Sequence, residues 1–127
     1  MSDEISLHDQ MKAKMTDQAI SVFKYRKETG GAKTVLLSYH AQEEMADENI
    51  TAKMLINCMA EKPELIEFRW EYPDTQAKGI FLCEPDEFPP FHVVCKVDND
   101  KAFVITAYLV SSDKYKGDNK TRQPRTK

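Results

Sequence analysis

The chain has 127 residues, of which 41% are hydrophobic and 31% charged, and a formal net charge of −3. That length supports one hydrophobic core, and no apolar run approaches the roughly 20 residues that a membrane-spanning helix needs. The charge is divided: six basic side chains against two acidic ones give residues 111–127 a net +4 and leave residues 1–110 at −7. An acidic body of this kind repels nucleic acid over most of its surface, so any such binding must use the tail or a local patch.

The N-terminus, Met1-Ser2-Asp3-Glu4, is acidic with no apolar run behind it, so no secretory signal is expected and the cytoplasm is the default location. From Ser6 to Glu28, Leu7, Met11, Met15, Ala19, Val22 and Phe23 recur at helical spacing against a polar opposite side, which predicts one long amphipathic helix. Thr29-Gly30-Gly31 stops it, because glycine takes the left-handed conformation at little cost. Gly30-Gly31-Ala32-Lys33-Thr34 has neither the spacing of a phosphate-binding loop nor a strand before it, and is not read as one.

Thr34-Val35-Leu36-Leu37 predicts a short strand running into Ser38-Tyr39-His40. A short helix from about His40 to Glu48 follows, with Asn49 suited to a left-handed end. Thr51 caps a second short helix whose apolar face is Met54, Leu55, Cys58 and Met59, ending before Pro63. Past Pro63 the period changes to two: Ile66, Phe68, Trp70 and Tyr72 alternate with Glu67, Arg69 and Glu71 as a half-buried strand. Pro73-Asp74 turns the chain, Lys78 to Cys83 forms a strand, and the proline-rich loop 84–90 leads to strands Phe91–Val97 and Ala102–Val110.

The plan is α+β: a long N-terminal helix, a short strand, two short helices and a four-stranded antiparallel meander, in one domain over residues 1–110 with a basic tail at 111–127. If Asp98 pairs with Ala102, then Phe91, Val93, Cys95 and Val97 share an apolar face with Phe103, Ile105, Ala107 and Leu109. The other face then carries His92, Val94, Lys96, Val104, Thr106 and Tyr108.

Three cysteines, Cys58, Cys83 and Cys95, are an odd number without C-x-x-C spacing, and read as buried thiols. The histidines are far apart and no metal-binding motif is present, so neither a metal nor a cofactor is expected. Glu43, Glu44, Asp47 and Glu48 crowd one short helix and read as an exposed acidic face. His40, between a strand and a helix and beside Ser38 and Tyr39, is suited to acid–base chemistry near neutral pH or to fixing the corner. His92, Lys96, Thr106 and Tyr108 supply a base, a cation for phosphate and orienting hydroxyls, the residue types of a metal-free ribonuclease site.

His40-Ala41, Met45 and Ile50-Thr51 resemble the pattern His-Ala-x-x-Arg-Met-x-x-Arg-Gly-Ile-Ser of a family of small prokaryotic domains of unknown function. The closing strands, with Phe91-His92-Val93-Val94 and Ile105-Thr106-Ala107-Tyr108, are similar to that family's Ile-Thr-x-Tyr end, so the likeness spans about residues 36–109. The resemblance implies the compact fold grouped with barnase, colicin ribonucleases and RelE-like toxins, and a metal-independent endoribonuclease or RNA-binding activity. His40 or His92 would then carry the proton, Lys96 or Arg69 would contact phosphate, Tyr39 would help to bind substrate, and Thr106 and Tyr108 would orient it. RNA and a cognate antitoxin are the implied partners. Glu44, Glu48 and Asn49 stand where the family has two arginines and a glycine, and glutamate opposes the phosphate charge that arginine stabilises. The alternative is therefore a non-enzymatic domain that binds a protein through its first helix or a sheet edge.

Overall fold

A computed structural model describes residues 7–30, 34–70, 77–98 and 100–110, less the side chains of His8, Arg69, Trp70 and Ala77. Tyr72, the Pro73-Asp74 turn and the basic tail lie outside the described residues. The elements are α1 (Leu7–Thr29), β1 (Val35–Leu37), α2 (Tyr39–Asp47), α3 (Ala52–Glu61), β2 (Glu64–Trp70), β3 (Ala77–Cys83), β4 (Phe91–Val97) and β5 (Ala102–Leu109). Among the described residues no helix is long and apolar enough to cross a membrane.

The fold is α+β, but the sheet has five strands and is mixed. Its order is β1-β5-β4-β3-β2, and the expected meander β2 to β5 gains β1 as a parallel neighbour of β5, with Val35 opposite Ala102. The pairing partners lie far apart in the chain, so no local pattern announces it.

Helix α1 buries Met15, Ala19, Val22 and Phe23, the later part of the predicted stripe. Leu7, its expected first member, is exposed. Gly30 ends the helix with φ 71°, as the sequence suggests. Asn49 takes φ 61° after α2, and the Thr51 side chain accepts a hydrogen bond from the Met54 N–H to cap α3.

Residues of α1, α2 and α3 form a single core with Leu65, Phe81, Cys83, Phe91, Val93, Cys95, Val97, Val104 and Ala107 of the sheet. The contact of α1 with the sheet is close at Gly79, where a Cβ would come within 2.7 Å of the Leu65 and Met15 side chains. Glycine is needed there for room, not for backbone freedom.

Two β-bulges move residues away from the faces that alternation gives them. In β2 the register shifts between Leu65 and Glu67, so Leu65 and Phe68 face the core and Ile66 falls out of step. In the β4–β5 pair, Phe91 to Val94 match Leu109 to Thr106 as expected, but Cys95 then pairs with Val104 and Val97 with Ala102. The cause lies at the hairpin end, where the Asp98 N–H donates to the Lys101 carbonyl and makes the loop one residue tighter than the Asp98–Ala102 pairing requires. Ile105 absorbs the difference. Val104 and Ala102 are therefore buried in the core, and Phe103 turns to the opposite face.

Candidate nucleic-acid interface

The face of the sheet away from the helix layer is organised by these registers into three rows across the strands. The row at the β4–β5 loop end runs Leu36, Phe103, Lys96, Lys78 and, by backbone register, Arg69. The middle row is Thr106, Val94, Ile80 and Glu67, and the far row is Tyr108, His92, Leu82 and Glu64. Burial rises along β4 from half-buried Lys96 to Val94 and His92, while Glu67 and Glu64 at the β2 end stay exposed. Leu36 and Phe103 are 46% and 42% exposed, Val94 is buried, and His92 and Leu82 have almost no exposure.

This gradient separates residues that the sequence places in one site. His92 was expected on an open face, yet it is 0% exposed, with its ring edge-on to Tyr108 at a centroid distance of 5.5 Å. Such a pair packs well but gives a substrate no access to the imidazole. Lys96 lies four residues further along β4, about 13 Å away at strand rise, and is half-buried beside the exposed Phe103. Thr106 and Tyr108 are half-buried, and Thr106 pairs with Val94. The side chain of Arg69 lies outside the described set.

The segment around His40 is fixed to the sheet through Ser38. The N–H of Ser38 donates to the Val104 carbonyl, and its hydroxyl donates to the Ile105 carbonyl at 2.7 Å while accepting from the Ala41 N–H at 2.9 Å. Ser38 thus caps α2 and pins it to β5 where β1 has ended. At the other end of α2, the Glu48 carboxylate accepts a hydrogen bond from the Leu109 N–H. Glu48 is therefore a partner for the sheet edge and not a member of a merely solvated acidic face. Tyr39 and His40 occupy the first turn of α2 and are exposed, Tyr39 to 77%. Among the described residues no group of three His, Cys, Asp or Glu side chains is placed to hold a metal ion.

The loop-end row holds the exposed large apolar side chains of this face, Leu36 and Phe103. Strands lie about 4.8 Å apart, so Phe103, Lys96, Lys78 and Arg69 form a line of one aromatic and three basic positions. Phe103 was placed on the opposite face from sequence because the assumed β4–β5 register turned it inward. The sequence Asp98-Asn99-Asp100-Lys101 is the signal that a two-residue turn was available.

A family model for a domain of unknown function, DUF4258, matches residues 37–109, more than half of the chain. The chain belongs to the DUF4258 family. The match begins at the end of β1 and ends at the end of β5, so the DUF4258 region holds α2, its anchors on β5 and the whole meander. It leaves out α1, which supplies four buried core residues here. No curated protein and no solved structure matches the chain.

Proposed function

We propose that the loop-end row of the open sheet face binds single-stranded RNA, with Phe103 stacking on a base and Lys96 and Lys78 meeting phosphates. The observation that carries this reading is the line Phe103–Lys96–Lys78 across three adjacent strands, continued by Arg69. An exposed aromatic ring beside cations on a sheet is suited to splayed bases and to a backbone that follows the charges. It also supplies the local basic patch that an acidic body requires, since Glu67 and Glu64 keep the β2 end of the other rows acidic.

The reading takes the ribonuclease-toxin resemblance as far as binding and no further. Cleavage requires a proton carrier within reach of the scissile phosphate, and buried His92 does not offer one. His40 is the exposed histidine of the motif. The strand β2, which among the described residues pairs with β3 alone, favours a second reading in which a partner protein adds a strand there.

Titrating fluorescent single-stranded RNA with the full chain tests the proposal. Phe103→Ala is expected to cost about 1–3 kcal/mol of binding, and Lys78→Gln and Lys96→Gln are each expected to lower the salt slope by about 0.7. Unchanged affinity and slope in all three variants would remove the sheet face from consideration and favour the β2 edge. Mixed RNA incubated with the protein in EDTA is expected to stay intact. Cleavage that disappears in His40→Ala would instead extend the reading to an endoribonuclease.

A further inference from the structure

Away from the sheet's open face, α3 and the end of β3 bring two thiols together. Cys58 is half-buried on α3, Cys83 is fully buried as the last residue of β3, and neither is in a disulfide. Cys58 packs against the core cluster that contains Cys83, and Glu84, the residue after Cys83, lines the same cleft as Cys58. A cleft of about 420 Å³ opens at Cys58, bordered by Lys27, Asn57, Lys62, Glu84 and Pro85. Solvent and small molecules therefore have a route to Cys58, while Cys83 sits behind it.

We propose that Cys58 and Cys83 are a redox-active dithiol, in which Cys58 reacts with a hydroperoxide entering the cleft and Cys83 converts the product to an intramolecular disulfide. The Cys58 thiolate attacks the terminal peroxide oxygen and the O–O bond breaks. The departing oxygen takes a proton and leaves as water or an alcohol, and Cys58 becomes a sulfenic acid. The Cys83 sulfur then attacks the Cys58 sulfur, the S–O bond breaks, and hydroxide leaves as water with the proton from Cys83. Two thiols are oxidised by two electrons in total, and one peroxide is reduced.

Position assigns these roles, since Cys58 borders the cleft and Cys83 is fully buried, and the shifts of the two thiols agree with it. The hydrogen bond from Cys83 holds the Cys58 thiol below its ordinary pKa, aided by the Glu84 backbone and opposed by burial and by the Glu61 and Glu84 carboxylates. Cys83 is pushed up by the same hydrogen bond and by burial. Burial alone pushes Cys95 up to about 12, which leaves it inert at neutral pH.

Hydrogen peroxide added to the reduced full chain, followed by intact mass and peptide mapping, tests this. The expected product has lost two hydrogens and carries a Cys58–Cys83 link. In Cys83→Ser, dimedone is expected to trap a sulfenic acid at Cys58, and Cys58→Ser should slow oxidation of the remaining thiols by about tenfold. Wild-type protein that keeps both thiols, or that oxidises first at Cys95, would overturn the proposal. The wild-type mapping decides the matter even where a serine variant fails to fold.

Discussion

His92→Ala is expected to lower the free energy of unfolding by about 2–4 kcal/mol. The imidazole is completely enclosed, and Leu82 and Val94, its neighbours on that face of the sheet, are themselves buried. Removing it leaves a void that a sheet flanked by bonded strands on both sides cannot close, and the edge-to-face contact with Tyr108 is lost as well. Urea denaturation followed by circular dichroism measures the cost. A catalytic histidine on a solvated face would behave otherwise, with stability within about 0.5 kcal/mol of the wild type, and that result would show that position 92 is not a core position.

The second large effect is expected at the two anchors of α2. Ser38→Ala removes a helix cap and a hydrogen bond to the Ile105 carbonyl together, for about 1–3 kcal/mol. Glu48→Ala strands the Leu109 N–H without its charged acceptor, for about 1.5–3 kcal/mol. Because one short helix carries both anchors, the double variant should lose less than the sum of the two single losses. Ala41 and Met45 still hold α2 in the core, so the fold is expected to survive. Hydrogen exchange at the Leu109 amide gives the local readout: it should accelerate in Glu48→Ala far more than exchange in β3. Equal stability of Glu48→Ala and the wild type would contradict the anchoring role.

These anchors also show what the sequence could and could not convey. Helix ends were legible at Gly30, Asn49 and Thr51 because these residues act on positions one to four residues away, whereas Ser38 was read as the end of a strand and its cap went unseen. The strands β3, β4 and β5 were legible from apolar runs set between turn residues. The bulges at Ile66 and Ile105 were not, and the one at Ile105 reflects the tight pairing of Asp98 with Lys101 at one end of its strand pair against packing at the other. One residue of slip was enough to exchange Phe103 for Val104 in the core and to conceal the loop-end row. The role of Glu48 was hidden for the same reason: its partner is 61 residues away, on a strand edge that exists only after β1 has joined the sheet and ended. His92 looked chemically able because alternation gave its face, but alternation says nothing of how deeply each row of that face is covered.

The proposed RNA path crosses Phe103, Lys96 and Lys78. Photo-cross-linking with a 4-thiouridine-containing single-stranded RNA, followed by peptide mapping of the full chain, tests it most directly. The expected cross-links fall in the β5 peptide containing Phe103 and in the β3 and β4 peptides containing Lys78 and Lys96. Cross-links confined to the basic residues 111–127 would contradict the account and assign the binding to the tail.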